Sequence, residues 1–278
     1  MQLTPWYGPD PIIALDGDPA AIAEPTIRQR TRLAEVLATF DDAQWDHPSR
    51  CAGWSNRGVI THLQSTNTFW SFSIAMGLKG QPTQFLATFD PVATPAQLVA
   101  DAPAMTSDEL LRQFVASNDA LALQLSSLDA AGWAATAESP VGHVAISTVA
   151  HHALWDSLIH ERDILLPLGL PPTEEPDETL ASLRYAAALS PAFAVSRGQA
   201  APGVLSINPT EPAAPFSVVV SDRVDIEAGA TNGDLLLEGR AVDLLEALSL
   251  RTPLGQHVPA SASWWVDGLK VTFDQTSD

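Results

Sequence analysis

The sequence of 278 residues contains few basic side chains. Lysine and arginine together number 14 against 33 aspartates and glutamates, and only Lys79 and Lys270 are lysines. The formal net charge of −19 would repel the phosphates of nucleic acids and the headgroups of anionic membranes. We therefore expect a protein that binds neither nucleic acid nor membrane surfaces.

Cysteine is almost absent, and so are long apolar runs. The single cysteine, Cys51, excludes an internal disulfide and any metal cluster held by several thiolates of this chain. No segment reaches the roughly 18 uncharged apolar residues that a membrane span needs. The N-terminal residues lack the basic segment and apolar core of an export signal. These absences favour a cytoplasmic location.

Hydrophobic residues make up 46% of the chain, which is enough to form a substantial core. Up to about residue 168, apolar residues recur at helical spacing between short breaks rich in Pro, Gly and Asp. This pattern predicts four helices, at about Pro25 to Phe40, from Ser55 to near Gly77, from Ser107 onward, and at Val144 to Leu166. The Pro- and Ala-rich segment 81–106 predicts a long crossover loop near one mouth of a four-helix bundle.

After Pro167 the pattern changes. A Pro-rich acidic linker covers residues 170–178 and predicts a boundary between one domain of residues 1–170 and another of residues 171–278. The second part predicts an α+β unit with helices at 178–195 and 241–250 and short strands at 204–207, 216–220, 224–227 and 234–238. Residues 264–271, with Asp267-Gly268 at their centre, predict a closing β-hairpin.

The segment from His151 to Asp163 carries the strongest chemical pattern. On a helix, His152, Asp156 and His160 stand at i, i+4 and i+8, so three side chains able to bind a metal share one face. Imidazole and carboxylate groups are ligands that zinc and similar divalent ions take. His62, between apolar neighbours on the second predicted helix, is a further candidate. Spacing alone leaves open a surface hydrogen bond for the Asp/His pair and a partly buried core histidine for His62.

Two separated motifs resemble the mycothiol-dependent maleylpyruvate isomerase family, a branch of the DinB-like metal-binding helix bundles. The first runs from Trp45 through Cys51, Trp54 and Ser55 and continues into the helix with His62-Leu63. The second is Trp155-Asp156 followed by His160-Glu161-Arg162-Asp163. The resemblance implies an α + (α+β) fold, in which a DinB-like four-helix bundle precedes a small sterol-carrier-like α+β domain.

The same resemblance implies that His62, Asp156 and His160 hold a divalent metal ion, with zinc preferred. It also implies mycothiol, or a similar small thiol, as cosubstrate. The family's acidic ligand is typically glutamate, and this chain has an aspartate that is shorter by one methylene. Residues 225–254 are similar to the family's C-terminal domain, where the helix usually ends in Gly-Arg and here reads Leu250-Arg251.

Three further residues have alternative interpretations. Arg251 is a candidate to grip a substrate carboxylate, or else a helix-end arginine that interacts with the helix dipole. His152 is a candidate fourth ligand or proton carrier. Cys51 precedes a helix, where thiols can be reactive, but we interpret it as a small packing residue beside Trp54.

These expectations favour a metal-dependent, thiol-using isomerase or S-transferase acting on a small organic electrophile. Two alternatives stay open: a non-catalytic binding protein for a small molecule, and a hydrolase that uses the metal to activate water. Bound metal and thiol dependence separate the three. The sequence indicates neither the substrate nor the oligomeric state.

Overall fold

The computed structural model describes residues 3–229 and 231–273, which form ten α-helices and seven β-strands. The helices are α1 (Ala23–Leu37), α2 (Asp42–Trp45), α3 (Asn56–Leu78), α4 (Ala93–Ala100), α5 (Ser107–Ser126), α6 (Ala130–Ala134), α7 (Ile146–Leu165), α8 (Pro176–Ser196), α9 (Ala241–Leu248) and α10 (Trp264–Phe273). The strands are β1 (Ile13–Leu15), β2 (Thr136–Ser139), β3 (Gly142–Ala145), β4 (Gly203–Pro209), β5 (Phe216–Val220), β6 (Val224–Ala228) and β7 (Leu235–Gly239). A mostly helical N-terminal part and a sheet-containing C-terminal part confirm the predicted fold class.

Helices α1, α3, α5 and α7 form the four-helix bundle. Each of α1 and α3 packs against both α5 and α7, and apolar side chains such as Leu33, Ile60 and Phe114 are fully buried between them. Ser55 caps α3 as predicted, because its hydroxyl accepts a hydrogen bond from the amide of Gly58 at 3.4 Å. The four predicted helices are thus confirmed, with ends shifted by a few residues.

The segment 81–106 is not the structureless loop that its composition predicts. It contains the helix α4, whose start is fixed by Asp90, since this carboxylate accepts hydrogen bonds from the amides of Val92 and Ala93. Pro95 is tolerated because it lies in the first turn, where backbone amides have no partner within the helix. The antiparallel pair β2–β3, directly before α7, is a second element absent from the sequence prediction.

The C-terminal sheet has the strand order β1-β6-β5-β4-β7. The central pairs β6–β5 and β5–β4 are antiparallel, whereas β1 pairs parallel with β6 and β7 pairs parallel with β4. Strand β1 precedes the bundle in the chain, so the sheet includes residues from both sides of the predicted boundary at residue 170. The division into two domains stays a prediction. Helix α8 contacts α7 on one side and β5 and β6 on the other, and so lies between bundle and sheet.

The predicted hairpin at 264–271 is wrong, because these residues belong to α10. Trp265 and Leu269, four positions apart, are both almost fully buried on one helical face. Gly268 lies so close to α8 that an added Cβ would stand 2.4 Å from the carbonyl oxygen of Ser190. The glycine therefore permits a close helix contact rather than a turn.

Candidate metal centre

Helices α3 and α7 bring the three predicted metal ligands together. One donor atom each from His62, Asp156 and His160 lie within 4.8 Å of one another. Oδ1 of Asp156 is 3.7 Å from Nε2 of His62 and 3.5 Å from Nε2 of His160. Their side chains are 14%, 12% and 10% exposed, respectively. The three donors therefore converge on one point, and each side chain keeps a small exposed fraction.

Local sequence explains this convergence. The i, i+4 spacing of Asp156 and His160 places both on the side of α7 that packs against α3. On α3, Thr66 lies one turn after His62, and its hydroxyl donates to Oδ2 of Asp156 at 3.4 Å. The ring of Trp54 lies 5.3 Å from that of His62, as a wall beside the donors.

Asp163 fixes the orientation of His160. Its Oδ2 lies 3.0 Å from Nδ1 of His160, which leaves Nε2 of the same ring for the side facing Asp156 and His62. A carboxylate behind a histidine ligand is a common arrangement in metal sites, because it selects the tautomer and the ring orientation. Asp163 is fully buried. Sequence reasoning missed this role, although the i+3 spacing from His160 is a signal for it.

Two arginines neutralise Asp163 in turn. Nε of Arg50 donates to Oδ1 at 3.0 Å, and Nη2 of Arg251 donates to Oδ2 at 2.9 Å. Arg50 also forms an ion pair with Glu246 of α9, which is bound by Arg162 as well. The metal centre is thereby linked through a buried ion-pair network to the C-terminal part.

Cys51 lies on the Nδ1 side of the His160 ring, opposite the Nε2 atom that faces Asp156 and His62. Its Sγ is 3.5 Å from Nδ1 of His160 and 3.2 Å from Oδ2 of Asp163. By distance alone, Cys51, His160 and Asp163 form a second group able to hold a metal. However, the two guanidinium groups already supply the positive charge there. We therefore interpret this group as support for His160.

The negative charge of Asp156 favours a positive charge between the three donors. Burial opposes ionisation of Asp156, but His62, His160 and His152 outweigh it and hold the pKa of this carboxyl well below its usual range. Burial alone would lower the pKa of His160, yet Cys51, Asp163 and Asp156 raise it to about 10. A proton on His160 supplies the missing charge, and a divalent ion would replace that proton.

His152 lies one turn before Asp156, outside the donor group that the described residues form. Its Nδ1 is 2.7 Å from the hydroxyl of Tyr185 on α8, and its ring stands 4.5 Å from that of Trp70 on α3. Burial lowers the pKa of His152 to about 4, so the imidazole is neutral at pH 7. The indole Nε1 of Trp70 is buried and has no hydrogen-bond partner among the residues the structure describes. Tyr185 carried no sequence signal for this position.

Arg251 lies beside the site, but its donors are largely engaged. Besides the contacts with Asp163, its Nη1 donates to the carbonyl oxygen of Ser249 at 3.2 Å. It also lines a cavity of about 300 Å³ between the end of α9 and α10, to which none of the three candidate ligands contributes. The side chain thus contacts a residue that orients His160, and a direct contact with substrate stays a prediction.

The fold is a four-helix bundle joined to an α+β unit, and the bundle carries a group of side chains able to hold a metal ion. The model of the family described as "Mycothiol maleylpyruvate isomerase N-terminal domain" matches residues 27–165, which is half of the chain. The chain therefore belongs to this family, as the two motifs predicted.

Solved structures support the fold. The chain is similar to the crystal structure of the mycothiol-dependent maleylpyruvate isomerase and to that of its histidine-to-alanine mutant, each with a TM-score of 0.60 and 17% sequence identity. Each match covers 88% of this chain and 96% of the other. No curated protein matches the chain by sequence. Among the residues that the structure describes, no helix is both long and apolar enough to cross a membrane.

Proposed function

We propose that this protein is a metal-dependent enzyme that uses mycothiol, or a similar small thiol, in an isomerase or S-transferase reaction on a small organic electrophile. The observation that carries this proposal is the convergence of His62, Asp156 and His160 on one point, with His160 oriented by Asp163. Family membership supplies the thiol, and the similar crystal structures supply maleylpyruvate as the first substrate to test.

The residues present fit a divalent ion. Two imidazoles and one carboxylate suit zinc, and three protein donors leave a further coordination position open. The shorter aspartate still reaches, because its Oδ1 lies within 3.7 Å of both imidazole nitrogens. An ion bound there would lower the pKa of a small thiol and so stabilise its thiolate at neutral pH.

The protein's own side chains have distinct roles in this proposal. Asp163 holds the His160 ring in place, and Trp54 forms a wall beside His62. Because burial lowers the pKa of His152 and raises that of Tyr185, both groups are neutral at pH 7. A Tyr185 hydroxyl that donates to Nδ1 would keep the His152 proton on Nε2, where it would act as a hydrogen-bond donor.

Metal content is the decisive measurement. Protein purified without added ions is analysed by elemental mass spectrometry beside a His62→Ala/His160→Ala variant, with His257→Ala as the control because His257 is exposed. We expect about one zinc-like ion per chain in the wild type and the control, and loss of the ion in the double variant. Absence of metal after reconstitution with zinc would overturn the proposal and leave a binding protein.

Thiol dependence then separates the chemical alternatives. Maleylpyruvate and a panel of small electrophiles are incubated with the metal-loaded enzyme, with and without mycothiol. The proposal predicts turnover only when the thiol is present. Turnover of an ester or amide without thiol, lost with the metal, would instead identify a hydrolase.

A further inference from the structure

Glu246 of α9 lies in the C-terminal part of the chain, yet its carboxylate is buried against two arginines of the N-terminal part. Nη1 and Nη2 of Arg50 donate to its two oxygens at 2.7 and 3.0 Å, and Nε of Arg162 donates to Oε1 at 2.5 Å. A buried carboxylate needs such partners, because an unpaired buried charge is costly. Glu246 and the two arginines therefore fix one another in position.

Arg50 extends this contact to the metal centre. Two of its side-chain nitrogens bind Glu246, and the third, Nε, donates to Oδ1 of Asp163 at 3.0 Å. A guanidinium group that binds a carboxylate through two parallel hydrogen bonds is fixed in direction as well as in distance. Glu246 therefore determines where Nε of Arg50 points. Because Asp163 orients His160, a displacement of Glu246 would reach this candidate ligand through two intermediate residues.

The backbone of Glu246 supports the second arginine on Asp163. Its carbonyl oxygen accepts a hydrogen bond from the amide of Arg251 at 2.8 Å, and that of Ala247 accepts one from the amide of Leu250 at 3.1 Å. With the left-handed Leu250, these bonds form a Schellman motif at the end of α9. Nε and Nη2 of Arg251 donate to the two oxygens of Asp163, each at 2.9 Å. Glu246 thus positions both guanidinium groups on Asp163.

We propose that Glu246 is a remote positioning residue of the metal centre and contributes to its affinity for a divalent ion. Among the described residues, no hydrogen bond or ion pair joins Glu246 to His62, Asp156 or His160. The inference rests on the proposed function, since it requires that these three side chains hold a metal. A group directly behind a histidine ligand changes metal affinity by about 10- to 100-fold. Glu246 lies one contact further out, so we expect a smaller effect.

Zinc affinity tests the proposal. Metal-free protein is titrated with zinc in competition with a chromophoric chelator at pH 7, and denaturant unfolding of each variant is measured in parallel. Glu246→Gln keeps the shape of the side chain but removes its charge, which weakens its hold on Arg50. We expect the Kd for zinc to rise about 3- to 30-fold. The visible spectrum of the cobalt-loaded variant should also change, because it reports the ligand geometry.

Two variants of α9 serve as controls. Asp243→Asn removes the same charge from the same helix, but Asp243 is exposed and lies 3.9 Å from its partner Arg240. Leu244→Ala truncates a buried side chain and should destabilise the protein at least as much as Glu246→Gln. Both should keep the Kd within about twofold of the wild-type value. An equal rise in Leu244→Ala would mean that affinity follows stability, and it would overturn the proposal.

A double-mutant cycle tests whether the effect passes through Arg50. If the charge of Glu246 acted on the ion only through space, its removal would raise the Kd by the same factor with or without Arg50. We expect instead that Glu246→Gln raises the Kd by less than about twofold in an Arg50→Met background. Arg50→Lys provides the same test if Arg50→Met does not fold, because an ammonium group cannot replace the planar guanidinium between two carboxylates.

The results distinguish this proposal from the proposed function. Wild-type protein that binds no zinc would overturn both. Zinc binding by the wild type with an unchanged Kd in Glu246→Gln would overturn the positioning role alone, and so would equal effects of Glu246→Gln with and without Arg50. Zinc-loaded wild type that shows the expected cycle but no thiol-dependent turnover would overturn only the proposed reaction.

Discussion

Two buried charges in the bundle are treated in opposite ways. Asp163 contacts two guanidinium groups, a histidine and a thiol. The two guanidinium groups balance its negative charge within the chain itself. Arg30, on α1 of the same bundle, has hydrogen bonds but no contacting counter-charge among the described residues. The difference teaches that the chain balances the buried charge behind the candidate ligand His160 with contacting charges of its own, whereas it surrounds Arg30 with neutral hydrogen-bond acceptors.

The largest expected effect is that of Asp163→Ala. The substitution leaves Arg50 and Arg251 without their shared partner and His160 without its orienting carboxylate. We expect a loss of about 3–5 kcal/mol in the free energy of unfolding and a 10- to 100-fold loss of metal affinity, to order of magnitude. Denaturant unfolding and zinc titration measure the two.

Asp46→Ala is the matched control, because Asp46 pairs with Arg57 at an exposed site. A surface pair of this kind is worth about 1 kcal/mol or less. If Asp163→Ala cost no more than this control, the network behind His160 would have no role in holding the site.

A second prediction concerns pH. Arg50 and Arg162 lower the pKa of Glu246 below its usual 4.5, against the opposing effect of burial. Since the folded-state pKa is depressed, this contribution is present above about pH 4.5 and is lost as the pH falls through the folded-state value. We expect Glu246→Gln to destabilise the protein by about 1–2 kcal/mol at pH 7.

Urea unfolding of wild type and Glu246→Gln at pH 7, 5, 4 and 3 provides the measurement. The gap between their midpoints should close progressively below pH 5. A gap that is independent of pH would mean that Glu246 acts through hydrogen bonds and packing rather than through its charge.

Arg30→Met tests whether the buried charge of Arg30 is compensated in the folded protein. If no group compensates the charge, its replacement by an apolar side chain of similar length should change the free energy of unfolding by less than about 1 kcal/mol. The same denaturant experiment measures this. A loss of about 3 kcal/mol or more would show that the neutral hydrogen-bond acceptors around Arg30 already compensate its charge as fully as the network compensates Asp163.

The smallest expected effect belongs to Leu250, which presents Arg251 to Asp163 from the end of α9. Leu250 has a φ of 61°, a left-handed conformation that costs a residue with a side chain about 1–2 kcal/mol. Leu250→Gly relieves this strain but removes a half-buried side chain, so we expect a net change below about 1 kcal/mol. Leu248→Gly, at the last residue of α9 and almost fully buried, should cost about 3 kcal/mol or more.

Chemical denaturation of the two glycine variants distinguishes them. Equal destabilisation by Leu250→Gly and Leu248→Gly would mean that the left-handed turn carries no strain and that Leu250 contributes mainly through packing.

The sequence signals for the candidate ligands are mostly local, and the structure brings the three residues together. Ser55 marks the start of α3, and the i, i+4 spacing of Asp156 and His160 places both on one face of α7. The resemblance then joined His62 to that pair. Nothing local connects Arg50 or Arg251 with Asp163, since the three residues meet only when α7, α9 and the segment before α3 are assembled. Long-range ion pairs of this kind have no periodicity to detect.

The errors also have physical causes. Asp267-Gly268 has the composition of a hairpin turn, but the same glycine serves a close contact between α10 and Ser190 of α8. Strand β1 has three residues, too few to show an alternating pattern, and it pairs with β6, far along the chain. In both cases a tertiary contact determines the local structure.

The parallel pairing of β1 with β6 joins two strands that lie more than 200 residues apart in the sequence. Ile13 pairs with Val224, so the edge of the sheet can close only after nearly the whole polypeptide has been synthesised. A fragment that begins at α1 would retain every candidate ligand of the metal centre. It would nonetheless expose the backbone of β6 as an open edge, available to pair with another chain and to nucleate aggregation.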